Sequence, residues 1–239
     1  MSILAHGVEG LRSCTSPPGG QSAEGTAILE MERGEWRAMA EKQPKYRDNR
    51  SGFWRAHFER AKDYEAYLRE SDPDKASRWA SMDEKLPALS AEQKARLAGG
   101  YNRRMNVLFY SGVWCGDCVR QGPMVQRIAR ACGDQVQVRF IDREESPPLQ
   151  EELRMLGALR VPVVVFLSED FFEIGRFGDR MLSVYRAKAR REVGPACATG
   201  VVAPPADELA VEIGEWIDIF ERMLLMLRLS PMLRERYGD

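Results

Sequence analysis

Apolar and polar positions follow two kinds of pattern along this chain. Continuous apolar runs rich in strand-forming residues cover 107–110 and 163–167, and they predict β-strands. After the first run the apolar positions follow the spacing of one buried helix face: Val119, Val125, Ile128 and Ala129. The middle of the chain is therefore predicted to run from a strand into a helix, with a further strand at 163–167.

Helical periodicity dominates the residues before the first strand, from about Ser51 to Ala98. A 3.6-residue stripe is formed by Trp54, Phe58, Ala61, Tyr64 and Leu68. The segment Ser71–Asp74 predicts the end of one helix and the start of another, because Pro73 suits a first helical position. Ser90–Gln93 is a capping-box pattern, which predicts a third helix ending at Gly99. We expect these helices to pack on the sheet, and His57 on the first of them to be a packing or surface residue.

The C-terminal part predicts two more helices. Ser183–Arg191 forms a basic helical stretch, followed by a flexible region up to Pro205. Asp207 is then the expected cap of a helix that runs to Leu229. Its apolar residues exceed one stripe between Met223 and Leu229, which predicts packing on the N-terminal helices or on a second copy in a homodimer. Light scattering separates these two possibilities.

The first thirty or so residues have a different character. Ser13–Gly25 is rich in Ser, Pro and Gly, so residues 1–32 are predicted to form a disordered tail. A regular pattern opens near Met31, which is a candidate for the true translation start. Mass spectrometry of the native N-terminus tests this.

Composition and charge narrow the class of protein. The chain has 239 residues, 44% hydrophobic, and a net charge of −1 from 35 basic and 36 acidic residues. Nothing here favours nucleic acid or an anionic membrane surface. No apolar segment approaches the roughly 18 residues of a spanning helix, and no signal-peptide pattern is visible. Five cysteines, three of them scattered, favour a reducing cytoplasm over a disulfide framework.

The strongest chemical signal is Trp114-Cys115-Gly116-Asp117-Cys118, between the first strand and the helix. A thiolate at a helix start is stabilised by unpaired backbone N–H groups and the helix dipole. Residues three apart are neighbours on a helix, so a disulfide can close there. The pattern predicts a redox dithiol in which Cys115 is the nucleophile and Cys118 the resolving thiol.

Two other interpretations of the two cysteines remain open. A Cys-x-x-Cys is also half of a zinc site, but the further candidate ligands are isolated: His6, Cys14, His57, Cys132 and Cys197. We expect no metal, and we expect Cys132 to be a small buried side chain. The second alternative is a binding module whose dithiol has no catalytic role.

Together these motifs resemble the thioredoxin superfamily over roughly Asn106 to Asp179. Besides the Trp-Cys-x-x-Cys, the matching features are Pro123 in the helix, a strand from Val136 that ends at Asp142, Val161-Pro162, and a hairpin of 163–167 and 171–176. The resemblance implies an α/β fold with a central mixed sheet flanked by helices. It implies a thioredoxin-like domain at 101–239 with a loop insertion at about 180–206, preceded by a helical extension at 33–100.

The resemblance also implies an activity and a site. It predicts a thiol–disulfide oxidoreductase that reduces disulfides of proteins or small thiols and needs no cofactor beyond the redox-active Cys115–Cys118 disulfide. A reductase or a small thiol would recycle it. Pro162 would be the cis-proline facing the dithiol, and Trp114, Gly116, Asp117 and Val161 would complete the substrate groove. The Trp-Cys-Gly-Asp-Cys variant looks like a bacterial subgroup of little functional definition.

The chain departs from the family's pattern at three places. Gly116-Asp117 replaces the usual Gly-Pro, and the family's buried acid and lysine would fall at Phe109 and Val138, both apolar here. Because Asp117 is negative, we expect it to raise the pKa of Cys115 and to make the couple reducing. A potential near the −120 mV or so of DsbA, rather than the −270 mV or so of thioredoxin, would contradict this.

Overall fold

The protein is described by a computed structural model that covers residues 44–192 and 207–239. The chain divides into two units, residues 1–47 and 48–239. Of the first unit only residues 44–47 are described, and they are exposed. The predicted tail at 1–32, the start at Met31, the thiols Cys14 and Cys197, His6 and the region after Gly194 lie outside the described residues.

A four-stranded mixed sheet forms the centre of the second unit. Its strands are β1 (Met105–Ser111), β2 (Val136–Asp142), β3 (Val163–Ser168) and β4 (Glu173–Gly178), in the order β2-β1-β3-β4. β1 runs parallel to β2 and antiparallel to β3, with Phe109 opposite Phe140 on one side and Val164 on the other. This confirms the predicted α/β class with a central mixed sheet.

Helices precede, connect and follow the strands. They are α1 (Ser51–Arg60), α2 (Tyr64–Arg69), α3 (Pro73–Lys85), α4 (Ala91–Ala98), α5 (Gly116–Cys132), α6 (Pro147–Glu152), α7 (Leu182–Glu192), α8 (Glu208–Leu229) and α9 (Pro231–Tyr237). Helix α5 packs against α3, α4, α8 and strand β2. In the part of the chain that the structure describes, no helix is long and apolar enough to cross a membrane.

The first predicted stripe is divided between two helices. Lys62 leaves the helical path and forms an antiparallel bridge with Phe140, through Lys62 N to Phe140 O at 2.9 Å and the reverse bond at 2.7 Å. Asp63 then caps α2 by accepting from Ala66 N at 2.7 Å. Because the bridge occupies the outer edge of β2, the extension is joined to the sheet by main-chain bonds as well as by side chains.

Trp79 is the centre of the contact between α3 and the sheet. Its side chain is fully buried, and its Nε1 donates to the carbonyl oxygen of Val113 at 3.0 Å. The rings around it are those of Tyr64, Tyr67, Phe109 and Phe140. The predicted packing of these helices on the strands is therefore present, and it reaches the segment just before the dithiol motif.

The structure differs from the sequence prediction at the start of β4 and after α8. Strand β4 begins at Glu173 rather than at residue 171, because Phe171 adopts a left-handed conformation (φ 66°) and the Ser168 backbone N–H bonds to Phe172 O at 2.8 Å. After α8 the chain forms another helix, α9, which starts at Pro231 with Ser230 as its cap. Proline at a first helical position supplies the local signal that sequence analysis missed.

Helix α8 has the predicted broad apolar face and some apolar surface beyond it. Ile213, Trp216, Phe220 and Leu224 are buried, whereas Leu225, Met226 and Leu229 are 43%, 42% and 68% exposed. The helix also contacts α4, one of the N-terminal helices, as predicted. The homodimer through this helix stays a prediction.

Candidate active site

Cys115 lies at the turn that leads from β1 into α5. Its backbone N–H bonds to Gly112 O at 2.9 Å, and its own carbonyl accepts from Val119 N at 2.9 Å as the first bond of the helix. Cys115 is the N-cap residue and Cys118 lies one turn inside. A Cβ on Gly112 would lie 2.8 Å from the Trp114 ring, so glycine is what permits this turn.

The Cys115 thiol has a lowered pKa, about 6. The largest cause is a hydrogen bond from the Cys118 thiol. Burial raises the pKa, the backbone N–H groups of Cys118 and Asp117 lower it, and the Asp117 charge raises it. Cys115 is half-buried, so its sulfur is partly open to solvent and ionised at neutral pH.

Cys118 has the opposite character. Its side chain is fully buried, and burial together with the neighbouring Cys115 raises its pKa well above the ordinary value of a thiol. The Gly112 backbone acts in the other direction by lowering the pKa of Cys118, but burial prevails. The two motif thiols are therefore inequivalent, one ionised and accessible and the other protonated and enclosed.

Val161 and Pro162 close the site from the opposite side. The peptide bond between them is cis, and both residues are buried. The Cys115 thiol donates to the Val161 carbonyl oxygen at 3.5 Å. The two residues that sequence analysis placed in the groove are thus brought beside the predicted nucleophile across 46 positions of chain.

Trp114 and Gly116 flank Cys115 on the surface. Trp114 is 42% exposed, and the guanidinium carbon of Arg143 lies 4.7 Å from the centre of its ring. Gly116 is exposed, with open space where a Cβ would stand. Both are therefore available to a molecule that approaches the Cys115 sulfur.

Asp117 forms an ion pair that the sequence did not indicate. Arg180 donates Nη2 to Asp117 Oδ2 at 2.5 Å and Nε to Oδ1 at 3.2 Å, while its Nη1 reaches Asp179 Oδ2 at 3.1 Å. The Asp179 side chain is only 3% exposed and also bonds to Arg160 and Tyr185. Burial opposes ionisation of Asp179, but these hydrogen bonds and cations outweigh it and lower its pKa.

The hydrogen bonds at the helix start correct the expectation for Cys115. Asp117 does raise the thiol's pKa, as predicted, but the hydrogen bonds from the Cys118 thiol and from the backbone N–H groups of Cys118 and Asp117 outweigh it. The net pKa is lowered. Sequence analysis missed Arg180 because its distance of 63 positions from Asp117 leaves no local pattern.

We expect Arg180→Gln to raise the pKa of Cys115, because Asp117 would then face the thiolate without a bound cation. At pH 5 the rate of Cys115 alkylation by iodoacetamide should fall about fivefold, with the rate at pH 9 unchanged. Asp117→Asn should lower the pKa of Cys115. The Asp117→Asn/Arg180→Gln protein should react with iodoacetamide at pH 5 at least as fast as the wild type. Parallel pH profiles for all four proteins would contradict this.

The positions that depart from the family's pattern are buried among apolar groups. Phe109 is fully buried and Val138 is 8% exposed, so no acid–base pair stands behind the dithiol at these two positions. His57 is buried and bonds to Phe53 O at 2.8 Å and Ser146 Oγ at 2.9 Å, as a packing residue would. Cys132 is buried, and burial raises its pKa to about 12. Within the described ranges no group of three or more His, Cys, Asp or Glu side chains is placed to hold a metal.

Residues 61–189 match a family model described as Thioredoxin. A crystal structure of a protein of unknown function from Pseudomonas aeruginosa shares the fold, with 24% identity and a TM-score of 0.52 over 69% of this chain and 95% of that one. Mitochondrial thioredoxin 3 from Saccharomyces cerevisiae is 21% identical over 41% of this chain and 86% of its own, with a TM-score of 0.27. No curated protein sequence matches the chain significantly.

Proposed function

This chain belongs to the thioredoxin family, and from that premise we propose that it is a thiol–disulfide oxidoreductase that reduces disulfides of proteins or small molecules. One observation carries the proposal. The half-buried Cys115 has a pKa of about 6 beside a fully buried Cys118 whose pKa is raised. A dithiol with one ionised, accessible thiol and one protonated, buried thiol is suited to thiol–disulfide exchange, in which the first thiol attacks the substrate and the second resolves the mixed disulfide.

In the proposed reaction the Cys115 thiolate attacks one sulfur of the substrate disulfide. A bond forms between Cys115 Sγ and that sulfur, and the other substrate sulfur leaves as a thiolate. Cys118 then gives its proton to this leaving thiolate and attacks Cys115 Sγ, releasing the second substrate thiolate, which takes a proton from water. The substrate gains two electrons and two protons, and the protein is left with a Cys115–Cys118 disulfide.

The groove residues support a role in holding the substrate. The Val161 carbonyl, which accepts from the Cys115 thiol at 3.5 Å, is free to accept from substrate once that thiol has ionised. Exposed Trp114 and Gly116 offer a flat contact beside the sulfur. We assign recycling to a reductase or a small thiol in a bacterial cytoplasm, and we assign the chain to the Trp-Cys-Gly-Asp-Cys subgroup on its motif.

Reduction of insulin disulfides by the full-length protein, with dithiothreitol as donor, tests the proposal. Turnover should exceed the rate with dithiothreitol alone, and prior alkylation of Cys115 at pH 6 should abolish the excess. The alternative is a thioredoxin-fold binding module. No turnover, together with a dithiol that never forms a disulfide under oxidising glutathione, would favour that alternative.

The reduction potential is expected to lie closer to that of thioredoxin than to that of DsbA. A lower nucleophile pKa stabilises the dithiol form and makes a couple more oxidising. The Cys115 pKa of about 6 is nearer the roughly 7 of thioredoxin than the roughly 3.5 of DsbA. Equilibration with glutathione measures the potential, and a value near −120 mV would contradict the expectation.

A further inference from the structure

A cavity of about 340 Å³ opens beside the start of α5. Asp117 and Arg180 form its side nearest the dithiol, and Arg120, Lys188, Arg191 and Glu208 line the rest. Asp117 stands between the two motif cysteines in the sequence. A substrate side chain bound in the cavity can therefore lie only a few residues along the substrate chain from the disulfide that Cys115 attacks, since one extended residue spans about 3.5 Å.

The charged lining of the cavity is mostly cationic. Four cationic side chains stand against two carboxylates, and two of the cations are fixed from behind by buried acids. Arg120 pairs with Glu212, which is fully buried, and Arg180 pairs with Asp179, whose side chain is 3% exposed. These two acids are not part of the lining, so a molecule in the cavity meets Arg180 beside Asp117 and Arg120 beside the more distant Glu208.

Among the described residues, the guanidinium of Arg120 keeps N–H donors without a hydrogen-bond partner. Its Nε bonds to Glu212, whereas its Nη2 has Glu208 at 3.6 Å, which is an ion pair but longer than a hydrogen bond. Lys188 and Arg191 pair with the exposed Glu192 at 3.8 and 3.3 Å. Exposed pairs of this kind are weak and exchange readily with another carboxylate.

Further cations lie beside the neighbours of Cys115. Arg143 lies over the Trp114 ring, and Arg78 Nη1 is 3.5 Å from the Trp114 carbonyl oxygen. Arg160 directly precedes Val161 and is exposed. Because Arg143 also pairs with Glu144 and Arg160 with Asp179, these residues add donors at the rim of the site and only a modest positive potential.

We propose that this cavity binds a carboxylate of the substrate, and that the preferred substrates are disulfides with acidic residues two or three positions from the reacting cysteine. The inference rests on the proposed function and gives it a substrate class. Arg120 supplies free N–H donors for the carboxylate, and Lys188 and Arg191 supply charge at the mouth. Arginine and lysine are the usual partners of a carboxylate at such a site.

A pair of peptide disulfides tests the proposal. Each is a symmetric dimer of a peptide with blocked ends, Cys-Gly-Glu-Glu in one and Cys-Gly-Gln-Gln in the other. The full-length protein should reduce the Glu dimer with about tenfold higher kcat/KM at low salt, mainly through a lower KM, and 0.5 M salt should reduce the preference. Lys188→Gln/Arg191→Gln should reduce the preference to about twofold.

The matched control is Arg186→Gln/Arg190→Gln, which removes the same charge from the same helix at residues outside the cavity lining. It should keep the preference. Equal kcat/KM for the two peptides, or equal loss in both double variants, would overturn the cavity as the site.

A binding measurement separates this inference from the activity. Cys115→Ser/Cys118→Ser should bind the linear peptide Ser-Gly-Glu-Glu at least fivefold more tightly than Ser-Gly-Gln-Gln by calorimetry. If the wild type reduces neither dimer but this preference is present, the proposed function fails and the carboxylate site stands. If the dimers are reduced but neither kinetics nor binding shows the preference, the site fails and the function stands.

Discussion

Serine at position 118 is expected to leave the protein covalently linked to its substrates. Cys115 would still attack a disulfide, but no second thiol would stand within the first turn of α5 to release the product. Turnover in the insulin assay should fall at least about a thousandfold, because resolution would depend on slow external thiols. The linked species should be visible by non-reducing electrophoresis and disappear with dithiothreitol.

Serine at position 115 should also abolish turnover but should trap nothing. The remaining thiol, Cys118, is fully buried and has a raised pKa, so it is neither accessible nor ionised. Cys132→Ala is the matched control, because that thiol is buried at the far end of α5 with a pKa of about 12. It should keep full activity. A stable adduct formed by the Cys115→Ser protein would show that Cys118 is the nucleophile and contradict the proposed roles.

Alanine at position 122 is expected to destabilise the fold strongly. A Cβ there would lie 1.9 Å from Cζ3 of Trp79, which is fully buried and hydrogen-bonded to Val113. The indole cannot withdraw without losing that bond and its ring contacts. The overpacking should outweigh the 1 kcal/mol or so that Ala gains over Gly in a helix, for a net loss of about 2–3 kcal/mol in the free energy of unfolding.

Urea unfolding measures this, with Gly214→Ala as the control. Gly214 lies in α8 with no atom within 4 Å of an added Cβ, so alanine there should increase stability by about 0.5–1 kcal/mol. Trp79→Leu makes room at residue 122, so the Gly122→Ala/Trp79→Leu protein should be more stable than the sum of the single losses predicts. A Gly122→Ala protein as stable as the wild type would contradict the close contact between the Trp79 ring of α3 and Gly122 of α5.

The family resemblance on the motif and strand residues was enough to predict the fold class correctly. The strand at Val136–Asp142 was predicted with the bounds that the structure has, and the helix after Cys115 and the Asp207 cap were also predicted correctly. The break at Lys62 was not predicted. The apolar stripe continues across it, and the bond that ends the helix goes to Phe140, 78 positions away.

The sequence by itself determined which two thiols are the candidates for the site and which of them starts the helix, because strand, turn and capping preferences are local to a few residues. The pKa of Cys115 was decided only by the tertiary structure. Asp117 alone predicts a raised value; the lowered one depends on the hydrogen bond from the Cys118 thiol, whose burial under residues from distant parts of the chain keeps it protonated. Charge acts through space and burial sets its strength, so residues far apart in the chain decide it together.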